Sequence, residues 1–394
     1  MTLTRSTHRR RSLIAISATA LAVIAVAAVL TTAGGDSVAS ADHSPPRFAR
    51  GLNDLITAKM KETATPGAIV SISVVGQGHW QQTFGVENLS TGAEMEADRF
   101  TRIGSVTKTF TGETILRLVD EGKLALDDKV SKYQPQVLGV AGGGAEVITI
   151  RQLLNMSSGF FDFQEDEPFV KEASEQPDTA FDPKYVVGVA MKHPLYFTPG
   201  SSFHYSNTNT VLLGLIIQQV AGQTVADAFY QQLFGPLGMT HSGIPDRYNS
   251  SVPDPHPRGY YYATPAEYAA RGVPRDETTW NPSWGWTAGA AISQVDDLMI
   301  WAKALGTGKL LKPATFAQQQ QYVDVPGSTA KYGLAIFNFD GYIGHNGSLP
   351  GYTSFVAYSP TRKATIVVLT NLTTPSQSPA DQIAALIIDR LAHT

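Results

Sequence analysis

The sequence predicts an α+β protein: strands and helices form a core, and a mostly helical stretch is inserted in the middle of the chain. Three observations carry this. Strand-like runs cluster early, at Ala68–Val75 and Trp80–Val86, and late, at Gly333–Phe339, Tyr352–Tyr358 and Ala364–Thr370. Between them the apolar residues recur at helical spacing. The chain has 394 residues, 43% hydrophobic and 16% charged, which is a globular composition with ample length for a core.

Taken in order, the first residues read as an address. Arg9, Arg10 and Arg11 precede an apolar run from Leu13 to Ala33, and Val38-Ala39-Ser40-Ala41 carries small residues as at a cleavage site. Residues 1–41 are therefore expected to be an export signal, loosely of twin-arginine type, which puts the working part outside the cytoplasmic membrane. The alternative is a retained membrane anchor, since the run is near the ~20 residues that span a bilayer. Membrane contact is expected only through this segment, if uncleaved. Residues 42–50, with Pro45-Pro46, read as a polar tether. Residues 51–394 read as one domain. Its α/β part covers about 51–135 and 285–394, and its helical part about 136–284.

Within that domain, Leu52–Met60 is expected to be a helix. Ala68–Val75 alternates between β-branched and small residues, bounded by Gly67 and Gly76, and pairs with Trp80–Val86. Apolar positions between Val106 and Glu121 follow a helical period that stops at Gly122. Residues 149–156 and 208–221 also read as helices. Residues 160–184 hold six acidic side chains between Asp162 and Glu175, and read as a solvated loop. Residues 245–285 hold seven prolines and several tyrosines, and read as a long irregular excursion. Asp296–Leu305 and Ala380–Leu391 close the list as helices.

Composition excludes several chemistries. With no cysteine there is no disulfide framework, thiolate metal site, iron–sulfur cluster or cysteine nucleophile. The net charge is −4, and no basic run stands outside the N-terminus, which argues against a nucleic-acid partner. The sequence holds no G-x-S-x-G elbow, H-E-x-x-H pair or phosphate-binding G-x-x-x-x-G-K-[ST].

Three short motifs remain. Ser105-Val106-Thr107-Lys108 opens a helix, where positions three apart share a face, so the lysine amine can reach the serine hydroxyl. A serine hydroxyl needs a base, and a lysine serves when burial lowers its pKa. Taken alone, Ser105 reads better as a helix N-cap. A second copy of the pattern, Ser328-Thr329-Ala330-Lys331, opens no helix and is assigned to chance. Tyr205-Ser206-Asn207 lies in a turn before the 208–221 helix, with a phenol for proton transfer and an amide for positioning. His345-Asn346-Gly347-Ser348 stands ahead of a late strand. His345 offers a proton or hydrogen bond, and Gly347 allows close backbone approach. The Ser348 amide can join that of Ser105 in an oxyanion hole. A similar His241-Ser242-Gly243 heads no strand and is set aside.

In this order and spacing the motifs resemble those of the serine β-lactamase and penicillin-recognising superfamily. The branch with class C β-lactamases, related esterases and secreted D-Ala-D-Ala carboxypeptidases is the nearer match. Phe100–Lys108, Leu118–Leu124, Ile150–Leu154 with Ser158-Gly159, Tyr205–Asn209, Ala288–Ala290, Gly344–Gly347 and Gly351-Tyr352 carry the resemblance. It implies an antiparallel sheet flanked by helices, a helical subdomain, and a site in the cleft between. It also implies an acyl-enzyme on Ser105, with Lys108 and Tyr205 sharing the proton transfers and His345 beside them. The backbone amides of Ser105 and Ser348 would form the oxyanion hole. Asn207, Gly347 and Trp284 would contact substrate, with Trp286 an equally near neighbour of Trp284. No metal or other cofactor is implied.

Two departures steer the substrate. The late motif is His-Asn-Gly, not the Lys-Thr-Gly usual in class C β-lactamases. Carboxypeptidase relatives also carry an arginine soon after Tyr-Gly-Leu, to hold the substrate's carboxylate. Here Tyr332-Gly333-Leu334 runs into Ala335, Ile336, Phe337 and Asn338. The expected function is an exported D-Ala-D-Ala carboxypeptidase acting on cell-wall peptide and bound by penicillin. An esterase or amidase acting on an uncharged substrate is the alternative. A catalytically inactive binding homologue is a third, which the presence of Ser105, Lys108, Tyr205 and His345 together speaks against.

Overall fold

The computed structural model describes residues 45–263, 272–375 and 378–393; the expected export segment lies outside them. In chain order the strands are β1 (Gly67–Val74), β2 (Gly78–Asn88), β3 (Ala93–Glu94), β4 (Thr101–Arg102), β5 (Tyr260–Tyr261), β6 (Arg275–Asp276) and β7 (Ile292–Ser293). Then come β8 (Val323–Asp324), β9 (Lys331–Tyr332), β10 (Phe337–Phe339), β11 (Tyr342–Leu349), β12 (Tyr352–Ser359), β13 (Ala364–Thr370) and β14 (Leu372–Thr373). Among the described residues nine of them form one antiparallel sheet, in the order β3-β2-β1-β13-β12-β11-β10-β9-β8. The early and late strand runs meet at its centre, where Ala68 opposes Thr370 and Val74 opposes Ala364.

Side chains alternate across a strand, so each of its two faces needs a cover. Ala68, Val70, Ile72 and Val74 of β1 pack under α1 (Leu52–Glu62) and the helix Pro379–Ala392. These helices offer Leu52, Ile56 and Met60, and Ile383, Ile387 and Leu391, each set on one helical face. Ile69, Val356, Val367 and Leu369 point the other way, into the larger core shared with the helices between the two strand runs. Those helices include α2 (Thr107–Asp120), α3 (Ile150–Leu154), α4 (Glu167–Glu175), α5 (Pro183–Met191), α6 (Asn207–Ala221) and the helix Val295–Thr307. The first ten residues of α2 are buried all round. Phe110 meets the rings of Trp301 and Phe234 at 4.7 and 5.0 Å. A central helix of this kind carries its first turn into the interior, and that turn is where Lys108 sits.

Four expectations are corrected. Residues 45–50 are no free tether: Phe48 is buried with α1, and Arg390 donates to the carbonyls of Phe48 and Arg50. Residues 160–184 are no solvated loop. Phe160, Phe163, Phe169 and Phe181 are core residues, so the acidic residues are carried on ordered elements. Asp166 caps α4 by accepting from Phe169 N at 2.8 Å, and Asp182 caps α5. The run 333–339 is not one strand. Ala335 takes φ +60° and donates to Leu154 O at 2.8 Å, which breaks the run between β9 and β10. His345 does precede the expected late strand, β12, but it lies inside a strand of its own, β11, which runs between β10 and β12 within the sheet.

Candidate active site

The segment before α2 is held in place by its backbone. β4 pairs with β7, and Ile103 N donates to Ala291 O at 3.1 Å. Gly104, at φ +51°, then opens a single 3₁₀ turn, Gly104–Val106, that leads into α2. A Cβ on Gly104 would stand 2.4 Å from Ser348 N, and one on Gly347 would stand 2.0 Å from Ile103 O. Only glycine at both positions lets this turn and β11 touch backbone to backbone. The contact brings Ser105 and Ser348 to one cleft.

Lys108 Nζ lies 3.0 Å from Ser105 Oγ, 2.7 Å from Asn207 Oδ1 and 2.8 Å from Ala288 O. An ammonium would donate to all three. A neutral amine would donate to Asn207 and Ala288 and turn its lone pair to the Ser105 hydroxyl. Both states fit without movement. Burial pushes the amine down to about 7, against the nearby charge of Asp162, which raises it.

Asn207 begins α6 and locks this arrangement. Its Nδ2 donates to Asp162 Oδ2 at 2.9 Å and to Gln164 Oε1 at 2.8 Å, while its Oδ1 accepts from Lys108. Asp162 is buried, and burial pushes its carboxyl up to about 6, opposed by the Gln164 amide, Lys108 and Asn207. Tyr205, two residues earlier, is half-buried and lines the cleft. Lys108 Nζ sits 4.8 Å from its ring centroid. Burial raises the Tyr205 phenol well above its ordinary value, and the Ser105 side chain only partly offsets this.

His345 stands behind Tyr205, with ring centroids 6.1 Å apart. Its Nδ1 is 2.6 Å from Asn346 O and its Nε2 is 3.3 Å from the Tyr332 hydroxyl. Those partners assign a proton to Nδ1 and leave Nε2 as an acceptor. Burial first, and the Lys108 charge second, push the ring down to about 3, so it is neutral. Phe337 completes this aromatic wall, edge-on to Tyr332 at 4.5 Å and to His345 at 4.8 Å.

The cleft has a volume of about 520 Å³. Ser105, Tyr205, Asn207, Ser348 and Trp284 line it, whereas Trp286 lines a different cavity. His345 and Gly347 lie behind its surface, beside the residues that do. Sequence reasoning passed over Asp162, Gln164, Arg275, Glu277 and Trp280, which also line it. The signal for Asp162 was an acid set between Phe161 and Phe163 in a phenylalanine-rich run. His241 sits elsewhere, its backbone amide on Asp297. Among the described residues no group of three or more His, Asp or Glu side chains could hold a metal ion.

The β-lactamase family model matches residues 52–389. The chain belongs to the β-lactamase family. This β-lactamase-family chain is 28% identical to "Protein flp" of Staphylococcus aureus (strain MRSA252) over 328 residues, 82% of the chain. The match spans 62% of that relative's length. Among solved structures, a D-stereospecific amidohydrolase from Streptomyces sp. superposes with a TM-score of 0.74 at 30% identity, covering 85% of this chain and 96% of the other. A penicillin-binding protein homologue from Pyrococcus abyssi gives a TM-score of 0.74 at 27% identity, covering 88% of this chain and 78% of the other.

Proposed function

We propose that this chain is an active-site-serine hydrolase of D-aminoacyl amides or esters whose leaving group is uncharged. Ser105 Oγ attacks the carbonyl carbon while Lys108, as the neutral amine, takes its proton. The oxyanion forms against the amides of Ser105 and Ser348. Tyr205, kept protonated by burial, passes a proton from Lys108 to the leaving nitrogen or oxygen as its bond to the acyl carbon breaks. Water then cleaves the acyl-enzyme by the same route, regenerating Ser105 and releasing the acid. The low value of Lys108 beside the high value of Tyr205 favours the lysine as base.

The observation that carries the choice of leaving group is Phe337. It stands where the carboxypeptidase pattern has its cation, in a wall of Tyr332, neutral His345 and Tyr205. A carboxylate buried against that wall would lack a partner, which is costly. The likeness to the Streptomyces D-stereospecific amidohydrolase supports the same reading. The D-Ala-D-Ala carboxypeptidase reading keeps the support of the overall run of motifs, and one experiment separates the two. Purified residues 42–394 and the Ser105→Ala variant are given D-alaninamide derivatives, simple esters and a D-Ala-D-Ala peptide. Ser105-dependent turnover of amide or ester, with slower release of D-alanine, is expected. Faster release of D-alanine would reinstate the carboxypeptidase, and turnover surviving in Ser105→Ala would refute the nucleophile.

We also propose export, from Arg9–Arg11, the apolar run and the Ala39-Ser40-Ala41 site. N-terminal sequencing of the protein recovered outside the cytoplasm should start at Asp42. A start at the initiator region would mean retention.

A further inference from the structure

β11 gives the cleft a direction: His345 lies behind its surface beside Tyr205, and Ser348 and Leu349, further along the strand, line it. Phe337 pairs with Gly344, so the aromatic wall of Phe337, His345 and Tyr205 flanks the early part of that strand. Tyr205, as the donor to the leaving atom, puts the leaving group there. The acyl portion then runs the other way, past Ser348 to Leu349 and Pro350.

That far end is built by the Pro- and Tyr-rich excursion. Thr373 Oγ1 donates to the carbonyls of Leu349 and Tyr352, tying β14 to the end of β11. β5 pairs with β14, Tyr261 beside Thr373, and β6 pairs with β5, Arg275 opposite Tyr261. Arg275 reaches back over this small sheet into the cleft. Its guanidinium carbon sits 4.8 Å from the Tyr261 ring centroid and 5.0 Å from that of Trp280. Its Nε and Nη2 both donate to one oxygen of Glu277, Oε1.

Charge and exposure point the same way. Among the described residues, three charged ones line the cleft: Asp162, Arg275 and Glu277. Asp162 is buried beside Lys108, and the Glu277 side chain is 2% exposed, whereas that of Arg275 is 46% exposed. The ion pair therefore turns its positive end to the cleft and hides its negative end. Two of the five guanidinium N–H groups serve Glu277, and the aromatic faces hold the plane of the fork.

We propose that Arg275 selects acyl donors that carry an anionic group, a carboxylate in the simplest case, on the acyl side of the scissile bond. This rests on the hydrolase reading above and deepens it: the leaving group is uncharged and the acyl portion is acidic. The interaction is a charge-assisted hydrogen bond at a half-exposed site, so it is sensitive to salt.

The test uses two D-alanine p-nitroanilides, one with an N-succinyl cap and one whose cap carboxylate is methylated. Purified residues 42–394 should hydrolyse the succinyl substrate with kcat/KM about tenfold higher or more, the scale of one charged hydrogen bond. The ratio should shrink as salt is raised. Arg275→Gln should abolish the preference by lowering kcat/KM for the succinyl substrate alone, and Arg275→Lys should restore part of it. Equal rates for the two caps in the unmodified protein, at low salt, would overturn the inference whether or not any variant folds. Equal losses on both substrates in Arg275→Gln would overturn it too, since a merely structural arginine behaves that way. No Ser105-dependent turnover of either substrate would instead strike the hydrolase reading, and this inference with it.

Discussion

The chain carries the same four-residue pattern in two regions, and only one of them is built for chemistry. Ser105–Lys108 sits where α2 enters the core, and its lysine is wholly buried among Ser105, Asn207 and Ala288. Ser328–Lys331 runs from the loop after β8 into the first residue of β9, where Lys331 Nζ bonds to Asp324 at 2.8 Å with 55% of its side chain exposed. Lys331 is hydrated and paired with a carboxylate, and among the described residues no hydroxyl partner is placed against it. Lys108 is dry, and burial brings its amine down to about 7. Spacing brings an amine within reach of a hydroxyl, and burial makes that amine a base.

The strongest way to break this comparison is to delete each serine. Ser105→Ala should abolish covalent labelling by an acylating ester, read by intact mass, while Ser328→Ala should label at the rate of the unmodified protein. Labelling lost in Ser328→Ala alone would reverse the assignment of the two regions. Next in size is the base itself. Lys108→Ala should slow acylation by about 10²–10⁴-fold, the usual range for a positioned proton acceptor. Lys331→Ala should leave the rate unchanged. A near-normal rate in Lys108→Ala would transfer the base to Tyr205.

A finer test is the pH dependence of acylation. The reactive form of Lys108 is the neutral amine, so kcat/KM should climb from pH 5 and level off above about 7, where the lysine has lost its proton. The charge of Asp162 holds that proton on, and Asp162→Asn removes it. The rising limb should therefore move to lower pH in Asp162→Asn. Because Lys108 and Asp162 interact, the midpoint belongs to the pair. A limb that stays in place, or moves up, would mean that Asp162 does not act on Lys108 through its charge.

The same contrast between spacing and burial explains what was legible in the sequence. Strands such as β1 and β13 declare themselves by β-branched runs between turn residues, because each covers two faces of one sheet. The Ser105–Lys108 and Tyr205–Asn207 motifs declare themselves because their parts are close along the chain. The cleft wall does not. Asp162 matters because Asn207 and Lys108, on two other helices, close over it. Arg275 matters because three two-residue strands, two of them from the proline-rich excursion and one from the end of the chain, fold beside the end of β11. Neither pairing has a local pattern. An acidic run reads as solvated until its phenylalanines are known to lie in the core.

The smallest expected effect lies one turn beyond Lys108 on the same helix. Glu113 is buried, and burial pushes its carboxyl up to about 8, opposed by Gln319 and Arg117, with Asp120 adding to the rise. Gln319 Nε2 donates to its Oε2 at 2.9 Å, while Glu113 Oε1 and Gln319 Oε1 are both buried without a partner. One proton on the Glu113 carboxyl gives it a donor for an acceptor of this kind, which an ionised carboxylate lacks. The folded chain thus keeps a proton that the unfolded chain releases at its ordinary value near 4.5. Stability from this group is complete below that value and is lost as pH rises through about 8, at a slope on the order of 1 kcal/mol per pH unit. Glu113→Gln removes the titration and keeps the shape. Its urea midpoint should fall less steeply than that of the unmodified protein between pH 5 and 8, and the two should be nearest at the acid end. Parallel slopes would show that Glu113 is charged in the fold, and that burial on α2 sets the charge of Lys108 but not of its neighbour.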